Sequence, residues 1–246
     1  MDPIEAAVLA LAGLVAGFLN TLAGGGSSVA LPVLEWVTGL PGAANATNRI
    51  AILLQNVVAV AGFHTGRAVP YRLAARLAGT AVLGGVAGAW VATVLDADSM
   101  RVALSMGIAF VAVAAVVKPP RTPRLEGPAA GVAFLLVGFY TGFLQVGVGF
   151  LLLACLVGGL GLDLVRANAA KVFIVLVVTA PVLLVFGLRG QLHLAAGLVL
   201  GCGNMGGAWI ASRLAVKRGA AWIKVVVVIA ALVAIAKLLL FPSGPR

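Results

Sequence analysis

Apolar residues in this chain run in long blocks, and polar residues collect in the short gaps between them. About 20 apolar helical residues cross a hydrocarbon core of roughly 30 Å, so each block predicts a membrane-spanning helix. Length and helix breakers predict a broken apolar segment over roughly 5–38, followed by helices near 44–63, 72–95 and 99–117. The order then repeats, with a second broken segment over about 128–161 and helices near 166–188, 192–216 and 221–241. The broken segments, GFLNTLAGGGSSVALPVLEWVTGL from Gly17 and GFYTGFLQVGVGFLLLACLVGGLGL from Gly138, set glycines inside sequence of membrane length. An unpaired backbone N–H or C=O in hydrocarbon costs several kcal/mol, so irregular backbone persists there only inside protein or lining a cavity. A matched pair of such breaks, one in each half, points to a binding site between the halves.

Composition fits the pattern. Hydrophobic residues make up 62% of the chain and charged residues 10%, with a mean hydropathy of +1.15. Soluble domains carry roughly 25% charged residues, so this is an integral membrane protein without a sizeable soluble domain. The opening MDPIEAAV lacks the basic region of a signal peptide, which predicts that the first apolar segment is retained. A net charge of +10 raises nucleic-acid binding as a class. The cations lie in short gaps between apolar blocks, however, which is the positive-inside arrangement and argues against nucleic acid. Cys155 and Cys202 fall in apolar stretches without metal-like spacing and read as small buried packing residues with no disulfide. The candidate ligands are too few and scattered to imply a cofactor or metal.

Residues recur between the halves as well as elements. Gly17-Phe18-Leu19-Asn20 matches Gly142-Phe143-Leu144-Gln145, and Gly24 matches Gly149. Ala44-Asn45-Ala46-Thr47-Asn48 matches Ala167-Asn168-Ala169-Ala170-Lys171, and Gly88-Ala89-Trp90 matches Gly207-Ala208-Trp209. The division is a first repeat over 1–117, a proline-rich linker over 118–127 and a second repeat over 128–246.

Loop charge sets the expected topology. The gaps holding Arg67, Arg72 and Arg76, then Lys118, Arg121 and Arg124, then Arg213, Lys217, Arg218 and Lys224 all belong in the cytoplasm. A single crossing by each broken segment puts the second and third of these gaps on opposite faces. A hairpin that returns to its own side puts all three inside and both termini outside. The fold class expected is therefore an all-α polytopic membrane protein of two inverted repeats, each a broken-helix hairpin plus three transmembrane helices.

GFLNTLAGGGSSVALPVL followed by GLPGAANATNRIAILLQN resembles the sulfite exporter TauE/SafE family, anion permeases of the TSUP type, through nearly the whole chain. The second half departs from the first-half motif, with Gly147-Val148-Gly149 where a fuller glycine run would stand and Lys171 in place of Asn48. The resemblance implies a multi-pass protein of the cytoplasmic (inner) membrane that moves small sulfur-containing anions such as sulfite, thiosulfate or sulfoacetate. Members differ in substrate and direction.

A small oxyanion must exchange strongly held water for N–H and O–H donors, which helix N-termini supply together with the positive end of their dipole. Gly24, Gly25, Gly26 and Ser27 at one break and Gly147 and Gly149 at the other are candidates, although the same glycines also serve turns and packing. Asn20 and Gln145 occupy matching positions, where an amide donates to an anion or caps a broken helix. Asn45, Thr47 and Asn48 stand where the next helix opens and read equally as N-caps; Asn48 is the preferred ligand because its repeat mate is Lys171. Arg49 and Lys171 either draw the anion or snorkel to headgroups; a cation at a membrane helix centre costs roughly 2.5–3.5 kcal/mol. Glu35, a carboxylate within a broken segment, is the proton-coupling candidate, whereas a potential-driven uniporter needs none.

The leading reading is a secondary carrier that alternates access around a midplane anion site. An anion channel is the alternative. An intramembrane enzyme is disfavoured: the sequence has no H-E-x-x-H or G-x-S-x-G, and no base accompanies Ser27 and Ser28. The expected partners are a small anion and the bilayer, with no nucleic acid. The glycine- and alanine-rich surface suits either internal packing or a homodimer contact.

Overall fold

The computed structural model describes residues 1–116 and 125–240, with side chains throughout except at 111, 112, 114–116 and 220–240. Regular structure among these residues is all helical. Most of the linker expected at 118–127 lies outside them.

In the first half, α1 (Pro3–Leu22) opens on a capping box: Asp2 accepts the Ile4 N–H at 3.2 Å and Glu5 accepts the Asp2 N–H at 3.0 Å. After the break come α2 (Ser27–Thr38), α3 (Pro41–Thr65), α4 (Tyr71–Val94) and α5 (Ala97–Val116). Pro41, whose fixed φ suits the first helical position, starts α3 earlier than expected. Asn45, Thr47 and Asn48 therefore sit inside the helix and do not cap its N-terminus; Asn45 Nδ2 instead donates to the carbonyl of Phe143, the last residue of α6, at 2.9 Å.

In the second half, α6 (Gly127–Phe143) is followed by the short α7 (Val148–Leu153), which runs on as a π-helical turn over Ala154–Gly159. Asp163 then caps α8 (Leu164–Leu188), accepting the Val165 and Arg166 N–H groups at 3.0 Å each. The final stretch, α9 (Leu194–Leu240), is broken at Gly219, where φ 68 and ψ −163 separate the two helices expected there. Among the described residues five helices are long and apolar enough to cross a membrane: α1, α3, α4, α8 and Leu194–Gly219 of α9.

Both broken segments fold back on themselves. Met1 and Glu5 share a surface hollow with Val37 near the end of α2, so α2 returns toward the end where α1 began. The Leu125 N–H donates to the Gly159 carbonyl at 2.8 Å, bringing the end of the π turn beside the approach to α6. His193 lines the Met1–Val37 hollow and, with Asp96 and Leu40, a second one at the same end of the molecule. At the other end Gly66 packs on Val216, which gathers the arginine-rich gap after α3 beside Arg213, Lys217 and Arg218.

Two close crossings tie the halves together, α1 on α9 and α4 on α6. Each uses a G-x-x-x-G pair on both helices: Gly13/Gly17 with Gly203/Gly207, and Gly84/Gly88 with Gly138/Gly142. A Cβ at Gly17 overlaps the Asn204 carbonyl and one at Gly207 the Leu14 carbonyl. A Cβ at Gly88 overlaps the Phe139 carbonyl and one at Gly142 the Gly85 carbonyl. The glycines matched between the repeats are thus those that let helix backbones touch. Trp90 and Trp209, also matched, stay exposed under the guanidinium groups of Arg189 and Arg213, as aromatic residues at membrane interfaces do. Both cysteines are free; Cys155 is half-buried, but Cys202 is exposed instead of buried.

Candidate functional site

The two breaks are built alike. After its C-cap Ala23, α1 gives way to Gly24 at φ 97; after its C-cap Leu144, α6 gives way to Gln145 at φ 60. Each of these residues donates its N–H to the carbonyl five positions back, Gly24 to Leu19 at 2.9 Å and Gln145 to Tyr140 at 3.2 Å. By helix termination Gln145 thus stands where Gly24 does, and Thr141 where Asn20 does. The register read from sequence holds through the glycine pairs and then shifts by one turn, because α6 ends a turn sooner than α1.

The hairpin tips meet at Gly24 and Gly149, where a Cβ on either overlaps the other's backbone. Around this contact lies a cavity whose polar lining is Asn20, Ser27, Gln55, Asn56, Gln145 and Lys171. Ile52, Val148, Val172 and Val175 form the apolar remainder. About 20 Å³ is open to the centres of water molecules. A water centre needs at least roughly 10–15 Å³, so the tips are closed to anything much larger.

Beside the cavity lie two buried cations, each contributed by one half and holding a helix end of the other. Lys171 Nζ donates to the Asn20 and Thr21 carbonyls at 3.0 Å each and to Asn168 Oδ1 at 2.6 Å. Its three donors are all engaged by the last turn of α1 and by its own helix. Arg49 does the same for α6. Its Nη1 donates to the Thr141 carbonyl and, at 2.6 Å, to Gln145 Oε1. Its Nη2 donates to the Gly142 carbonyl at 2.9 Å and to Asn45 Oδ1 at 3.3 Å, and the guanidinium lies 5.3 Å from the Phe186 ring centroid. Arg49 is 0% exposed and Lys171 2%, and neither touches a carboxylate among the described residues. Helix C-termini carry partial negative charge, so the cations sit at the ends that suit them.

Of the backbone donors around the first break, those of Gly24, Ser27, Ser28 and Val29 are already engaged. The Ser27 N–H goes to Asn20 Oδ1 at 3.3 Å, the Ser28 N–H to the Gly25 carbonyl at 3.1 Å and the Val29 N–H to the Gly26 carbonyl at 2.9 Å. Gly26 packs against the α1 backbone, and neither Gly25, Gly26 nor Gly147 lines the cavity. Gly147, at φ 71, is the N-cap of α7. Asn48 holds Ser27 Oγ at 3.3 Å from behind the wall. Glu35 lies away from this group near the protein surface, 3.3 Å from Arg101, with its side chain 34% exposed.

The sequence reading passed over Gln55, Asn56 and Asn204. Gln55 Oε1 accepts from Asn20 Nδ2 at 3.4 Å and from Asn204 Nδ2 at 3.3 Å, joining α1, α3 and α9 at the cavity wall. The available signal was Gln55-Asn56, two adjacent amides in the apolar stretch of α3 that follows Arg49.

The chain is 28% identical over 250 residues to the probable membrane transporter protein YfcA of Escherichia coli K12, covering 99% of this chain and 93% of that protein. It is 26% identical over 247 residues to the probable membrane transporter protein ORF9 of Sinorhizobium sp, covering 97% and 94%. A probable membrane transporter protein of Haemophilus influenzae is 27% identical over 239 residues, covering 94% and 93%. No solved structure matches. The profile of one family spans residues 9–238, so this membrane protein, with its paired breaks and closely crossed helices, is a transporter belonging to the sulfite exporter TauE/SafE family.

Proposed function

We propose that the protein is a secondary carrier of small sulfur-containing anions, with its seat between the two hairpin tips. The observation that carries this reading is the pair of buried cations, Arg49 and Lys171, held beside a polar cavity by neutral acceptors alone. Helix-end carbonyls offset part of the cost of burying such charge, and a visiting anion offsets more. The proposed seat comprises Asn20, Gly24, Ser27, Gln145, Gly149 and Lys171, together with Gln55 and Asn56. Arg49, Asn48, Gly25, Gly26 and Gly147 support it from behind. Sulfite, thiosulfate and sulfoacetate are the substrates to try, from the family's description and the compactness of the site.

In this proposal the two halves are inverted repeats that rock about the Gly24–Gly149 contact, opening the cavity to one side at a time. The arginine-rich end faces the cytoplasm and both termini face outward, with the protein in the cytoplasmic membrane. No carboxylate lines the cavity among the described residues. That lining favours movement of the anion down its electrochemical gradient over proton coupling at Glu35.

Thermal unfolding in detergent tests the seat. A ligand at about 100 times its dissociation constant adds roughly 2.7 kcal/mol. Stabilisation by sulfite, thiosulfate or sulfoacetate but not by acetate or chloride at equal ionic strength supports the proposal, and a uniform response contradicts it. Counterflow in vesicles separates the carrier, which shows it, from the channel, which does not.

A further inference from the structure

We infer that Gln145 donates through Nε2 to the transported anion and that Arg49 is the positioning residue that turns this amide toward the cavity. The inference rests on the anion seat proposed above and specifies the part that Arg49 plays behind it, the alignment of a neutral donor.

Chemistry fixes the orientation of the amide. A guanidinium has only donors, so the atom 2.6 Å from Arg49 Nη1 must be the Gln145 oxygen. Nε2 then points away from Arg49. It is buried without a hydrogen-bond partner on a side chain that lines the cavity and is 2% exposed. Buried donors ordinarily find partners, so one left free at a cavity wall marks where an acceptor is received.

Backbone conformation supplies a second, independent observation. Gln145 holds φ 60, whereas the structurally equivalent turn residue of the other half is a glycine, Gly24. Left-handed backbone costs a side-chain-bearing residue energy that glycine avoids, and such residues gather at functional sites. The turn alone calls for glycine, so the glutamine side chain has work beyond the turn. Arg49 is itself immobilised by the Thr141 and Gly142 carbonyls, by Asn45 and by the Phe186 ring, so it makes a fixed stop for the amide.

Thiosulfate binding to purified full-length protein, measured by calorimetry at fixed ionic strength, tests the assignment. Gln145→Met, which keeps the size and removes the donor, and Gln145→Gly, which relieves the backbone, should each bind thiosulfate at least tenfold more weakly while unfolding cooperatively in detergent. Arg49→Lys keeps the charge but releases the amide. It should lose binding to a similar degree, and the Arg49→Lys/Gln145→Met double variant should lose no more than either alone. Wild-type affinity in Gln145→Gly or Gln145→Met overturns the donor. Wild-type affinity in Arg49→Lys, or losses that multiply in the double variant, overturns the positioning role. Wild-type protein that binds no thiosulfate, sulfite or sulfoacetate refutes the anion seat itself, a failure distinct from either of these.

Discussion

Lys171 holds the end of α1 and Arg49 holds the end of α6, so each half steadies the broken helix of the other with a buried cation. The residues do not correspond in the repeat, where Lys171 pairs with Asn48 and Arg49 stands one place further on. Their targets do correspond, because Asn20-Thr21 and Thr141-Gly142 are the same two positions before the C-cap. Equivalent carbonyl ends are thus held by cations at positions that are not equivalent. The breaks differ in a second way: the left-handed turn is a glycine in the first half and a glutamine in the second. One half thus uses this position to turn and to let the tips touch, whereas the other presents an amide there.

The largest effects should come from removing the caps. Lys171→Ala and Arg49→Ala each leave buried carbonyls without a donor and should cost about 3 kcal/mol or more of stability. Denaturant titration in mixed micelles measures this, and comparable losses in the two variants are the expected outcome. A loss confined to one variant breaks the equivalence of the two ends.

Smaller and unequal effects are expected at the tips. Gly24→Ala and Gly149→Ala both push a methyl group into the opposite backbone, but only Gly24 has a positive φ. Gly24→Ala should therefore be the more destabilising by about 1 kcal/mol, compared in the same titration. Next, Asp163→Ala removes the side chain that caps α8 just before Asn168 and Lys171, and should cost about 1 kcal/mol without weakening anion affinity in calorimetry. The smallest effect is expected for Glu35→Gln. Its partner is Arg101 in a partly exposed pair, so stability should change by less than about 1 kcal/mol. Vesicle uptake in that variant should keep the wild-type response to an imposed pH gradient; abolition of a proton-driven component returns Glu35 to the coupling mechanism.

Much of this arrangement was legible in the sequence. Glycines interrupting apolar runs marked both breaks, and the repeats of Gly17 with Gly142 and of Gly88 with Gly207 picked out residues that set the helix crossings. The basic gap between the helices expected near 192–216 and 221–241 marked the last turn, which falls at Gly219. The turn shift between the breaks was not legible, since side-chain patterns locate glycines but do not say at which carbonyl a helix ends. The same limit hid the start of α3 at Pro41 and made Asn45 and Asn48 look like caps. Gln55 and Asn56 stood out only as adjacent amides among apolar neighbours, Asn204 is a lone amide with no spacing to announce it, and only the packing of α3 on α9 brings Gln55 to Asn204. Glu35 looked embedded because α2 was counted as membrane length, yet its position near the end of a 12-residue helix brings it to Arg101 near the surface.

The central claim is that an anion sits between the hairpin tips beside the two buried cations. Crystals grown with selenite, the selenium analogue of sulfite, test it through anomalous scattering from selenium. The account predicts one dominant peak between the tips, within hydrogen-bond distance of Gln145 Nε2 and next to Lys171, with Gly24 and Gly149 moved apart to admit it. A dominant peak elsewhere, with the tips still in contact, contradicts it.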